Sequence, residues 1–176
     1  MRKIHLFSLF IALSFLFHSC IDLGLYISDL PLGYSKTYPT DIALTGKWKK
    51  VNGGEEETGI DTLEFILFNK NEYVIRSVDG GDKSLIRAFI TKISGESFLN
   101  MQELSGTERK YVFCKYKING KKELELYFLS DSLFGNKEFK SRKKLRKFVK
   151  KNLKDPELFS KEMNFSLQRS PDTYQQ

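Results

Sequence analysis

From about Leu44 onward the apolar residues recur at every second position over short stretches, which is the period of a half-buried β-strand. Leu63, Phe65 and Leu67 alternate with Thr62 and Glu64, and a second run, Tyr73 to Val78, follows the turn residues Asn69-Lys70-Asn71. Asp79-Gly80-Gly81-Asp82 is a strong turn signal. Leu85 to Ile93 and Ser97 to Leu104 flank Ser94-Gly95-Glu96, and Arg109 to Ile118 meets Glu123 to Leu129 across Asn119-Gly120. Asn-Gly between two alternating runs is a hairpin signal, because both residues tolerate the positive φ that tight turns demand. Leu124, Leu126 and Phe128 are expected to face inward, with Glu123 and Glu125 outward.

The period then changes. Leu145, Phe148, Val149 and Leu153 recur at helical spacing behind Ser141, a residue suited to N-capping, and predict a helix over 141–153. Asp155-Pro156-Glu157 predicts a further short turn, and Met163, Phe165 and Leu167 restore alternation in a last strand, Glu162 to Arg169. With Thr45 to Val51 as the first, about eight strands are expected. The predicted class is all-β, mainly an antiparallel meander, with a basic amphipathic helix before the closing strand; eight strands suit a closed barrel, which leaves no free edge.

The beginning of the chain follows different rules. Met1-Arg2-Lys3 precedes an apolar run from Leu6 to Phe17, interrupted by Ser8 and Ser14, which is the length of a signal peptide. His18, Ser19 and Asp22 end the run short of the about 20 apolar residues that a spanning helix needs. Leu16-Phe17-His18-Ser19-Cys20 resembles the lipobox of bacterial lipoproteins, in which a small residue precedes a cysteine that is acylated and becomes the new N-terminus. Ser19 and Cys20 fit that pattern; Phe17 and His18 depart from it. An uncleaved signal anchor and ordinary secretion are the alternatives, and Phe17 is too bulky for the small residue that the secretory peptidase wants there. The resemblance implies lipidation at Cys20 and attachment to a membrane of the bacterial cell envelope on its extracytoplasmic side. Two or three acyl chains, at roughly 0.8 kcal/mol per buried methylene, hold such a protein firmly.

Four regions result: a lipoprotein signal peptide over 1–19, a lipidated tether over 20–43, a β domain over 44–170 and a disordered tail over 171–176. The tether is unusual. Ile21, Leu23, Leu25, Tyr26, Ile27, Leu30 and Leu32 are too apolar for a solvated linker, so part of it is expected to pack on the domain or on lipid.

Gly46-Lys47-Trp48 in the first strand resembles the Gly-x-Trp with which lipocalins and related calycin barrels begin. The resemblance covers strand order and one tripeptide. It implies a barrel with Trp48 closing one end and a basic residue of the last strand lying across it, a place that Arg169 occupies by position. The chain is also similar to small uncharacterised bacterial lipoproteins that share a Gly-x-Trp strand, strands like Phe98-Leu99-Asn100 and Tyr111-Val112-Phe113, and a late Leu-x-x-Phe helix.

Charge and chemistry narrow the function. The 176 residues carry a net charge of +7, and loss of Arg2 and Lys3 with the leader leaves +5. The excess is concentrated in Lys137 to Lys154, so a local contact is favoured over nucleic acid, for which there is no motif either. Arg142, Lys143, Lys144, Arg146, Lys147, Lys150 and Lys151 form a basic face suited to an anionic membrane or a partner. The favoured reading is that Leu145, Phe148, Val149 and Leu153 cap the sheet while the lysines face water, since one apolar face cannot enter a membrane and cover a barrel at once; both hold if only the charged side meets head groups.

Both histidines, His5 and His18, lie in the leader, so the mature chain can assemble neither a Ser-His or Cys-His nucleophile pair nor a histidine zinc site. Of the two cysteines, Cys114 remains without a partner once Cys20 is acylated, and alternation puts it with Val112 and Tyr116 on the apolar side as a buried thiol. Glu55-Glu56-Glu57, or Asp79 with Asp82, offers carboxylates for a divalent cation but lacks calcium-loop spacing, and a solvated turn is the simpler reading. No catalytic residue, metal or cofactor is expected. The leading expectation is a non-enzymatic envelope lipoprotein whose barrel binds a small apolar ligand or a protein partner. Phe65, Phe89, Tyr116 and Phe128 would either line or fill its interior. Second comes an interaction protein with a filled core that works through its basic helix, and third an enzyme.

Overall fold

The computed structural model describes residues 24–50, 62–79, 82–104, 109–135 and 137–171. A two-residue strand, β1 (Ile27–Ser28), precedes β2 (Gly46–Lys50), β3 (Thr62–Asn69), β4 (Glu72–Asp79), β5 (Asp82–Ile93), β6 (Glu96–Glu103), β7 (Tyr111–Asn119) and β8 (Glu123–Leu129). The helix α1 (Arg142–Lys151) follows, and β9 (Phe159–Arg169) is the last strand among the described residues. Strands β2 to β9 pair antiparallel with their neighbours in sequence, and β2 pairs β9 through Trp48 opposite Arg169, closing the sheet into an eight-stranded barrel. This is the mainly antiparallel meander expected, with one helix before the closing strand, and the architecture is consistent with that of lipocalins.

Two of the hairpin turns follow from their residues, and the Gly80-Gly81 turn lies outside the described residues. Ser94 and Gly95 have φ of 52° and 89° and join Ile93 to Glu96 in a two-residue hairpin, the geometry that needs positive φ at both positions. At Asn119-Gly120 the connection is longer than the dipeptide suggests: Asn119 pairs with Glu123, so Gly120, Lys121 and Lys122 form the loop. Gly120 supplies the left-handed residue at φ 61°, and the Asn119 amide donates to Glu125 at 2.8 Å. The last strand also begins earlier than its alternation indicates, at Phe159 instead of Glu162. Its first residues are irregular because the Ser160 hydroxyl accepts the amides of Glu162 and Met163, at 3.3 and 3.1 Å, and this hides the period. The helix is shorter than 141–153. Ser141 does cap it, accepting the amide of Lys144, and Asn152 ends it.

Two apolar cores lie on either side of the barrel wall. Inside, Trp48, Phe65, Tyr73, Ile75, Leu99, Cys114, Leu124, Leu126, Phe165 and Leu167 form one cluster with their neighbours. Trp48, Tyr73, Ile75, Ala88, Leu99, Cys114, Leu124 and Leu167 are at 0 % exposure, so each meets other atoms on every side and leaves no water-sized gap beside it. Phe65, Tyr116 and Phe128 belong to this filling. Phe89 does not. It is 3 % exposed but sits outside the wall, edge-on to Tyr111 with the Arg87 guanidinium 5.8 Å away, because Ala88 and Ile90 are the inward residues of β5. Burial on the outer face gave it the look of an interior position.

The outer core explains that exception. Ile93, Phe98, Phe113 and Leu129 point out of the barrel and are covered by Leu145 and Val149 of α1, by Phe134 and Leu158 of the flanking loops, and by Tyr26 and Leu32. Strands β5 to β7 are therefore buried on both faces, and Phe98-Leu99-Asn100 is a run of three buried residues. From Gly24 the N-terminal segment is packed on the domain as a strap. Leu25 bridges Ser130, β1 pairs with Tyr111 and Val112 of β7, and Leu32 and Gly33 cross β6 and β5 before Asp41 reaches the barrel end.

Candidate functional site

The Trp48 end of the barrel is closed by residues from both termini of the domain. Gly46 has φ 108°, a value that favours glycine, and sets the entry of β2 so that Trp48, two residues on, points inward. The Trp48 indole donates to the Leu44 carbonyl at 2.7 Å. The Arg169 guanidinium lies across the ring with its Cζ 4.2 Å from the centroid. Its nitrogens donate to the carbonyls of Thr45 at 2.6 Å, Lys121 at 2.9 Å and Ala43. Beside them, the Tyr73 hydroxyl donates to the Asp41 carbonyl at 2.9 Å and receives the Asp41 amide, and the Tyr116 hydroxyl donates to the Asp41 carboxylate at 3.3 Å. Burial pushes both phenols well above the ordinary tyrosine value, so they are neutral donors and not bases. Trp48 and Arg169 are thus joined in a structural closure.

Cys114 is fully buried, and desolvation raises its thiol far above the ordinary range, which leaves it without thiolate character. Cys20 and the Glu55 to Glu57 run lie outside the described residues. Asp79 and Asp82 pair across the β4–β5 ladder. Among the described residues no group of three His, Cys, Asp or Glu side chains is placed to share a metal ion, and no helix is long and apolar enough to cross a membrane.

The seven basic residues singled out on the helix divide by what they touch. Leu145 and Val149 are fully buried against the wall, and Phe148 and Leu153 pack beside them, so the apolar face of α1 is covered by the protein itself. Each full burial of such a side chain contributes about 1.5–3 kcal/mol. Lys143, Lys144, Lys147, Lys150 and Lys151 remain exposed. Among the described residues none of the helix's basic groups is in an ion pair. Arg146 donates to the Lys92 carbonyl, and Arg142 lies 3.7 Å from the centroid of the Tyr34 ring.

The sequence gives no sign of that last contact, because Tyr34 belongs to the strap and only the crossing of the strap over β5 brings it to α1. Between the strap and α1 lies a groove of about 330 Å³, lined on one side by Arg142, Lys143 and Arg146 and on the other by Tyr34, Thr37 and Tyr38. Two ion pairs on the outer wall, Arg76 with Glu64 at 2.9 Å and Arg87 with Glu72 at 2.5 Å, tie neighbouring strands.

The chemistry on view is therefore one of surfaces, in which a closed barrel compatible with ligand or partner binding displays a cationic helix. Comparison with protein-family models, curated proteins and solved structures gives no match in any of the three.

Proposed function

We propose that the chain is a non-enzymatic lipoprotein of the bacterial cell envelope, anchored through Cys20, whose filled barrel holds the basic face of α1 against anionic phospholipid. The observation that carries this reading is the division of α1: its apolar face is used up on the barrel wall, and among the described residues none of its cations is neutralised by a carboxylate. Lysine and arginine near an anionic surface contribute roughly 1 kcal/mol each.

The path of the strap supports it. Gly24 is held by the Asp131 amide at 2.9 Å, and the four Cα steps from residue 20 span at most about 14 Å. Tyr26 stacks on Phe134 at 3.7 Å, and Phe134 packs on Phe148 of α1 at 4.8 Å, so the helix sits near the point where the anchored segment joins the domain. A barrel that carries a small apolar ligand has less support, since Trp48, Tyr73 and Leu99 occupy the interior without gaps beside them.

Two measurements test the proposal. Cys20→Ser should abolish precursor processing and detergent-phase partitioning. A leaderless form with the same substitution should float with vesicles of phosphatidylglycerol and phosphatidylcholine, not with phosphatidylcholine alone, and should be released by salt. Equal behaviour on both vesicles would remove the helix from the account, and unchanged processing would remove the anchor.

A further inference from the structure

The groove between the strap and α1 has features that a diffuse basic surface lacks. Three cations, Arg142, Lys143 and Arg146, line one wall, and no acidic side chain lines it among the described residues. The Arg142 guanidinium is held by its stack on Tyr34, while its Nε is buried without a hydrogen-bond acceptor. The ring and not a protein acceptor sets the position of this charge, so the terminal nitrogens of Arg142 remain to donate to a ligand in the groove. Arg146 uses one nitrogen on the Lys92 carbonyl, which fixes the second guanidinium at the same groove. Tyr34, Thr37 and Tyr38, which carry hydroxyls, form the opposite wall; the Thr37 amide donates to the Tyr34 carbonyl at 3.1 Å, so this wall is a closed turn.

We infer that this groove is a binding site for a phosphate ester, with Arg142 and Arg146 as the phosphate ligands and the tyrosine wall receiving the organic part. Two guanidinium forks match the tetrahedral oxygens of phosphate better than ammonium groups do, since each can donate two parallel hydrogen bonds. The wall of Tyr34, Thr37 and Tyr38 opposite the guanidiniums favours an ester over a bare anion, since it offers the organic part an aromatic and hydroxyl-bearing surface that an inorganic phosphate would leave unused. The ester comes either from a lipid head group or from a soluble metabolite. The inference deepens the membrane reading in the first case and is independent of it in the second.

The test uses the full chain in micelles of a non-ionic detergent, titrated with glycerol 3-phosphate by calorimetry. Saturable binding at one site is expected. Arg142→Gln and Arg142→Lys should each weaken it about tenfold, the second because it keeps the charge but loses the fork and the stack. Tyr34→Leu, which leaves every charge in place, should also weaken it, whereas Lys151→Gln at the far end of α1 should change it less than twofold. Absence of saturable binding, or equal losses for Arg142→Gln and Lys151→Gln, would overturn the site. Micelles doped with phosphatidylglycerol distinguish the sources: competition with glycerol 3-phosphate identifies a head group, and its absence a soluble ester. If doped micelles are bound equally by Arg142→Gln and Lys151→Gln, the groove fails and the helix reading stands. If they are not bound while glycerol 3-phosphate binds through Arg142, the helix reading fails and the groove stands.

Discussion

Arg169 and Trp48 face each other across the β2–β9 ladder, and the guanidinium carbon of the one lies 4.2 Å from the ring centroid of the other. The stack is worth about 0.5–2 kcal/mol, and three backbone carbonyls of the closing segments accept from the same guanidinium. Arg169→Met is expected to destabilise the fold by about 2 kcal/mol or more, since it leaves those carbonyls to water and uncovers the indole. Chemical denaturation with Trp48 as the fluorescent reporter measures the loss. Arg169→Lys should recover only a part of it, because an ammonium cannot reach all three acceptors at once.

The strap depends on Asn100. Its side-chain oxygen accepts the Leu32 amide at 2.7 Å, and its nitrogen donates to Thr91 at 2.9 Å and to the Phe89 carbonyl at 3.2 Å, all of them buried. Asn100→Ala leaves the Leu32 amide without a partner and should cost about 1–3 kcal/mol. Limited proteolysis should then cut within residues 29–37 before the barrel unfolds, a site protected in the parent protein.

Gly33 passes so close to β5 that a Cβ would stand 2.3 Å from the Thr91 hydroxyl. Gly33→Ala is therefore expected to cost about 1–3 kcal/mol through overpacking. Thermal melts of Gly33→Ala, Thr91→Ala and the double variant check the cause: the double variant should lose less than the two single losses combined.

Acid sensitivity should involve Glu72. The hydrogen bond from Arg87 holds its carboxyl below the ordinary value of 4.5, so the native state binds fewer protons than the unfolded chain near that pH. Stability from this pair is present above the unfolded value and declines as the pH falls through the lower, folded one. In urea titrations Glu72→Gln should have a lower midpoint than the parent at pH 7, and the difference should shrink toward pH 3. A difference independent of pH would assign the effect to packing.

How much of this was legible in the sequence depended on whether one face or two were covered. Leu124, Leu126 and Phe128 alternate with polar residues, and their inward orientation follows from period two alone. Ser141 announced the helix because a side-chain oxygen ahead of an apolar stripe is a local signal. Phe89 misled because it is covered on the outer face by Tyr111 and Arg87, contacts that strand periodicity does not encode. The Arg142–Tyr34 stack and the early start of β9 were hidden for related reasons: one joins distant segments, and the other is masked by the Ser160 hydroxyl bonding to its own backbone. The placement of Arg169 over Trp48 was named from resemblance, not from spacing.

The seam between β2 and β9 joins the first long strand made to the last. While the chain is being synthesised, the sheet carries two unpaired edges and an uncovered Trp48 until β9 arrives. Ring closure is then an all-or-nothing event governed by the slowest, most distant contact. Chains truncated before Phe159 should lack any finished intermediate to rest in, and are expected to associate edge to edge.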